Sequence, residues 1–221
     1  MLTHLQFGYD GMNLWMTRRD KLFACLHNNP KAKFVTRAVQ FGSEPLFDGV
    51  LPPDQLAAQV TAAKQNLSSL GIPVTVSDMA YGYQSNGGAQ SVLDAIDFVD
   101  LHMLPFFSTT ATTVANCWGF VQDSLNWINQ HANGKKIILS ENGWPSMQSG
   151  FVVSSSPNAV ADVQQEQAYF DLLDSKCRYF KANPGGGVAW FAHLYSEQQG
   201  AGYGILDNGR LKFPFSPKTS C

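Results

Sequence analysis

The chain has 221 residues, 44% of them hydrophobic, which is enough to bury a sizeable core as one large domain or two small ones. Charged residues reach only 14% against 12% aromatics, and the net charge is −2 with Lys and Arg scattered. That balance excludes the basic footprint of a nucleic-acid binder and suits a neutral, flat-faced partner such as sugar. No apolar run is long enough to span a membrane, and Met1-Leu2-Thr3-His4-Leu5 lacks the charged and apolar regions of a signal peptide.

A weak strand is expected at residues 2–7 and a helix at 17–26. Apolar runs at 34–41, 72–77, 98–104, 136–140 and 187–194 read as strands. Helical stretches fall between them at about 53–70, 89–98, 113–132 and 159–182. In the third of these, Val114, Cys117, Trp118, Val121, Leu125 and Ile128 recur at three or four and form one apolar face, with Trp118 and Trp127 expected in the core. Gly71-Ile72-Pro73 and Gly134-Lys135 stop helices before the next strand. Cys25, Cys117 and Cys177 read first as buried thiols, with disulfides open in an exported protein but no pairing legible from spacing. No CxxC pair, HExxH or calcium loop is present, so neither metal nor cofactor is expected.

Alternating strands and helices, with near-continuous apolar strands, predict a parallel sheet covered by helices. No glycine-rich turn follows the first strand, as an open dinucleotide-binding sheet would have. Polar and aromatic residues gather just after strands instead, as in a (β/α)8 barrel. Five strands and a weak sixth fall short of eight. The expectation is a single partial barrel domain over residues 1–221, N-terminally truncated, with about strands three to eight present.

Glu44 ends the run Arg37-Ala38-Val39-Gln40-Phe41-Gly42-Ser43, and Glu141 ends Lys136-Ile137-Ile138-Leu139-Ser140. Two carboxylates at strand ends are what glycoside hydrolysis requires: one protonated to assist the leaving group, one ionised to attack the anomeric carbon. Each alone could equally be a helix cap or an ion-pair partner. For the sugar itself, Trp144 is the first stacking candidate, with Phe106, Phe107, Tyr195, Tyr81 and Tyr83 behind it. Asp78 faces the barrel mouth as a candidate for a sugar hydroxyl, for tuning Glu44 or for a cap. His102 and His193 lie near the expected subsites, although structural histidines are the commoner case.

Phe41-Gly42-Ser43-Glu44 and Leu139-Ser140-Glu141-Asn142-Gly143-Trp144-Pro145-Ser146 resemble the signatures of glycoside hydrolase family 17, fungal branch. Asp97-Phe98-Val99 through Pro105-Phe106-Phe107-Ser108 is similar to a third block of that family, and the resemblance runs from about residue 34 to 196. It implies an acid/base after the fourth barrel strand and a nucleophile after the seventh, which assigns these roles to Glu44 and Glu141. Counting back from the last strand gives the same two positions. The chain departs from the family pattern at Asn142, usually Thr, at His102, commonly Asn or Asp, at Leu104, and at His193, which is Glu in some members.

The function so implied is retaining, endo-acting hydrolysis of β-1,3-glucan by a monomer outside the cell or in its wall. Retention calls for carboxyl groups about 5–5.5 Å apart. A β-1,3-glucan transglycosylase uses the same residues and stays open. So does a non-catalytic glucan-binding wall protein, should an open barrel be inactive. A β-glucosidase with the same strand pair is disfavoured by Gly143-Trp144-Pro145. Asn66-Leu67-Ser68 is a glycosylation acceptor only if exported and exposed.

Overall fold

The computed structural model describes residues 2–5, 14–150, 152–200, 202–218 and 220–221. The chain divides into two compact units, residues 1–101 with 129–135, and residues 102–128 with 136–221.

In the first unit, β1 (Leu2–Leu5) is followed by α1 (Leu14–Asn28), α2 (Pro30–Val35) and β2 (Ala38–Ser43). β1 pairs in parallel with β2 over Leu2–Ala38 to Leu5–Phe41; the rest of the strand expected at residues 2–7 lies outside the described residues. The strand expected at residues 34–41 starts late. Asn29 caps Lys31 and Ala32, Pro30 opens the first turn, and the chain is still helical at Phe34, whose ring is 87% exposed.

Next come α3 (Pro53–Leu67), β3 (Val74–Met79), α4 (Ala80–Ser85), α5 (Gln90–Ala95) and β4 (Val99–Met103). α3 buries Leu56, Ala57, Val60, Ala63 and Leu67 on one face. A 3-10 turn over Ser68–Leu70 then ends at Gly71, whose φ of 65° only glycine adopts freely. Asp97 ties the approach to β3: its carboxylate accepts the Val74 amide at 2.8 Å and pairs with Lys64 on α3 at 2.8 Å. Lys135 donates to the carbonyls of Leu93, Asp94 and Ile96, filling the acceptors that the C-terminus of α5 leaves open. β2 and β3 pair in parallel, and nearly every residue of β2, β3 and β4 is buried. Both faces of this sheet are therefore covered, as the apolar runs predicted.

The second unit carries α6 (Trp118–His131) as far as Ile128, then β5 (Ile137–Asn142), α7 (Val163–Ser175), α8 (Cys177–Lys181), β6 (Val188–Trp190), β7 (Leu194–Ser196), β8 (Gly204–Asp207) and β9 (Arg210–Leu211). β5 and β6 are parallel; β7 and β8 are parallel, and β8 with β9 antiparallel. The single strand expected at residues 187–194 is interrupted at residues 191–193. The Phe191 amide donates to Leu139 and the His193 amide to Asn142, so this stretch still follows β5.

α6 buries Val121, Leu125 and Ile128 as expected. Trp118 is only half-buried, its ring meeting the edges of Tyr179 and Phe180, and Trp127 is likewise half-buried. The thiol reading needs correction twice: Cys177 is bonded to Cys221, and Cys25 is exposed. Cys117 alone is a buried thiol, and burial pushes its pKa up to about 12. No helix among the described residues is long and apolar enough to cross a membrane.

The Cys177–Cys221 bond joins residues 44 apart in sequence, and the segment it closes supplies Trp190, Phe213 and Phe215, which pack on Phe170. Cys221→Ser should lower unfolding stability by about 2–4 kcal/mol. Chemical denaturation with and without reductant checks it: the variant should match the reduced wild type.

Candidate active site

Glu44 stands at the first residue beyond β2, where the sheet register becomes irregular between Gln40 and Ser43. Gly42 takes φ 96° and Glu44 itself φ 51°, a left-handed backbone that a non-glycine residue holds only when its surroundings fix it. Two contacts fix it: the Glu44 amide donates to Ser77 at 2.7 Å, and its carbonyl accepts from Asp48 at 2.8 Å. Ser77 adds a hydroxyl bond to the Gly42 carbonyl at 2.9 Å. The Glu44 side chain is half-buried.

Asp78, on β3, is fully buried. One carboxylate oxygen accepts the Leu46 and Phe47 amides at 2.7 and 3.3 Å, and the other accepts Met79 at 2.8 Å. Asp78 therefore fixes the turn that follows Glu44, and the expectation of a sugar contact is corrected: its oxygens are spent on backbone. Gly82 packs against it so closely that a Cβ there would sit 2.0 Å from Asp78 Oδ1. Tyr83 is also fully buried and is no sugar platform; burial, and the nearby Asp78 and Asp100, raise its pKa well above the ordinary phenol value. Tyr81 is 60% exposed and meets the exposed Phe47 edge to face at 6.2 Å, which keeps it available for stacking.

Glu141 lies within β5 rather than after it. Its Oε1 is 3.4 Å from His102 Nε2 and its Oε2 is 3.8 Å from His193 Nδ1, with its side chain 32% exposed. The structure thus brings together three residues of the second unit that the sequence nominated separately. The expectation of a sugar contact is corrected for His102, which is 3% exposed and too buried to touch a sugar, whereas His193 is part-exposed. Asn142 and Tyr169 were missed. The buried Asn142 side chain accepts the Tyr169 hydroxyl at 2.7 Å and donates to Phe191 at 3.3 Å.

The aromatic platforms divide the same way. Trp144 is fully buried, its indole N–H donating to Val160 at 2.9 Å and its ring 5.3 Å from Phe106, which is also fully buried. Neither presents a face to a sugar, so both expectations are corrected: these rings pack the loop after β5. Phe107 and Tyr195 are exposed, by 38% and 71%, and remain candidates.

The model of the BtgE/BtgC glycoside hydrolase domain matches residues 10–202 of the chain, a span that includes both glutamates. The chain belongs to this family. A protein of Aspergillus fumigatus named "probable glucan endo-1,3-beta-glucosidase eglC" is 26% identical over 156 residues, covering 63% of the chain and 33% of that protein. The chain therefore spans about a third of the length of the curated relatives it matches. Among solved structures, the family 17 β-1,3-glucanosyltransferase of Rhizomucor miehei superposes with TM-score 0.69 at 23% identity, covering 93% of this chain and 71% of that one. An active-site mutant of that enzyme in complex with laminaritriose gives TM-score 0.69 at 24% identity, covering 93% and 73%. The likeness establishes the (β/α) barrel fold for this BtgE/BtgC domain, and the expectation of an α/β barrel holds.

One further feature of the BtgE/BtgC domain went unread in the sequence. Lys212, just after β9, pairs with Glu166 of α7 at 2.6 Å and with Glu197, and donates to Ser146 at 2.9 Å. Glu197 also accepts the Gly202 amide at 2.7 Å. One ammonium serves two carboxylates, and Glu166 is fully buried. Burial outweighs the pull of Lys212, and Glu197 adds repulsion, so the Glu166 pKa rises from 4.5 to about 7. The folded chain then holds this proton more tightly than the unfolded one. The Glu166 contribution to stability is full below about pH 4.5 and is lost as pH climbs through 7. Melting temperature should fall for this reason between pH 5 and pH 8, and Glu166→Gln should flatten that slope. Parallel melts of the two proteins across the range read the difference; equal slopes would contradict the assignment.

Proposed function

We propose that this domain hydrolyses β-1,3-glucan with retention of configuration, Glu44 serving as acid/base and Glu141 as nucleophile. The observation that carries this is the glycoside hydrolase match over residues 10–202, which takes in both glutamates at the ends of their strands. The substrate class follows the relatives: one is named a glucan endo-1,3-β-glucosidase, and one solved neighbour holds laminaritriose. The low charge and the exposed Tyr81, Phe47, Phe107 and Tyr195 suit a neutral, stackable ligand.

In the first step Glu141 bonds to the anomeric carbon while the glycosidic C–O bond breaks, and Glu44 gives its proton to the departing oxygen. In the second, water attacks the glycosyl-enzyme, Glu44 takes a proton from that water, and Glu141 leaves as carboxylate. Residues 1–221 act as one catalytic domain in this reading, on glucan outside the cell or in its wall.

Laminarin digestion with product sizes resolved tests the substrate; products longer than the substrate would assign the acceptor to sugar instead of water. The roles are tested by stereochemistry. Glu141→Gly with azide and an activated β-glucoside should yield an α-glycosyl azide, because the small anion takes the vacated place while the acid remains. Glu44→Ala with azide should yield the β-azide. Identical anomers from both variants, or near-normal turnover of laminarin by Glu141→Gln, would contradict the assignment.

A further inference from the structure

The two imidazoles beside Glu141 are not equivalent. The His102 side chain is 1% exposed and faces Oε1, whereas the His193 side chain is 20% exposed and faces Oε2. His102 sits in β4, where every residue is buried, so its ring has neither solvent nor ligand to reach. An ionised carboxylate oxygen is an acceptor only, and the nitrogen lone pair of an unprotonated Nε2 would repel it. The tautomer that fits therefore carries its proton on Nε2 and donates to Oε1. At 3.4 Å the two atoms are in contact without a formed hydrogen bond between them, and catalytic contacts of this kind close when a ligand binds.

We propose that His102 is a positioning residue for the nucleophile: it holds Glu141 Oε1 by its Nε2–H and thereby leaves Oε2, on the His193 side, as the attacking atom. This deepens the glycosidase reading and rests on it. Oε2 forms the bond to the anomeric carbon, the bond from that carbon to the leaving oxygen breaks with its electron pair, and the leaving oxygen takes the general acid's proton. Oε1 becomes the carbonyl oxygen of the glycosyl ester and keeps its donor throughout. His193 Nδ1 lies 3.8 Å from the reacting oxygen, its ring against the edge of Tyr203 at 5.1 Å.

The test uses a dinitrophenyl β-laminaribioside, whose leaving group departs without a proton, and follows the pre-steady-state release of dinitrophenolate, so that the first-step rate reports attack by Glu141. His102→Leu should lower the rate of glycosylation about 100-fold, in the range for loss of one preorganised donor. The substrate Kd read from the same bursts should change by less than about threefold, since no sugar contact is lost. His102→Gln, which restores an N–H at similar reach, should recover about tenfold of the loss. A weakened substrate Kd with an unchanged first-step rate would overturn the proposal, and so would equal losses for Gln and Leu. Independently of activity and of these variants' folding, the 15N resonance of His102 Nε2 should move when Glu141 is replaced by Gln; an unmoved resonance overturns the proposal. Failure of the wild type on every β-1,3-glucoside would remove the underlying reading and the proposal with it, and the imidazole spectrum separates the two failures.

Discussion

The position of the Glu141 carboxylate depends on the residue after it. Asn142 is fully buried, and its polar groups are committed: the backbone carbonyl takes the His193 amide at 3.0 Å, the side-chain oxygen takes the Tyr169 hydroxyl, and the side-chain nitrogen donates to Phe191. A buried amide left without these partners would cost about 1–3 kcal/mol, so the end of β5 is held to one arrangement. That arrangement sets Glu141 half-exposed with an imidazole at each oxygen. Tyr169 is itself fully buried, and burial raises its hydroxyl pKa well above the ordinary value, so it serves as a fixed neutral donor.

Further out, the same principle recurs with charge. Lys212, Glu166 and Glu197 join α7, the turn after β7 and the residue after β9, while the Ser146 amide donates to Gly202 at 2.7 Å. This network surrounds the segment that carries Tyr203, whose ring fixes His193. Breaking one partner of such a buried pair leaves a charge uncompensated, which is why the network holds its segment firmly. In the first unit the analogous task falls to Asp78, which collects three backbone amides and so fixes the turn beyond Glu44. In the first unit a buried carboxylate organises backbone, while the more exposed Glu44 is left at the strand end.

The strands and the two glutamates were legible because their signals are local: an apolar run followed by a carboxylate. The helix start at Pro30 was equally local, but was hidden by the apolar run that begins at Phe34. Aromatic residues were not legible in the same way. A Trp after a strand can face sugar or core, and the choice for Trp144 is made by Val160 and Phe106, which lie elsewhere in the chain. The Glu166–Lys212 pair spans a long separation with no motif, yet one trace was present. Glu166, Tyr169, Phe170 and Leu173 share the buried face of α7, and a Glu on an apolar stripe requires a partner. The Cys177–Cys221 bond left no trace, since spacing alone does not pair cysteines.

The central claim, that Glu141 bonds covalently to the sugar, has a direct test. A 2-deoxy-2-fluoro-β-laminaribioside with an activated leaving group should form the glycosyl-enzyme quickly and release it slowly, because the fluorine destabilises both oxocarbenium-like transition states. Peptide mapping of the trapped protein by mass spectrometry should place the added disaccharide on Glu141, within the peptide that contains Ser140-Glu141-Asn142. Label on Glu44, on any other residue, or no label from a reagent that the enzyme turns over would contradict the account.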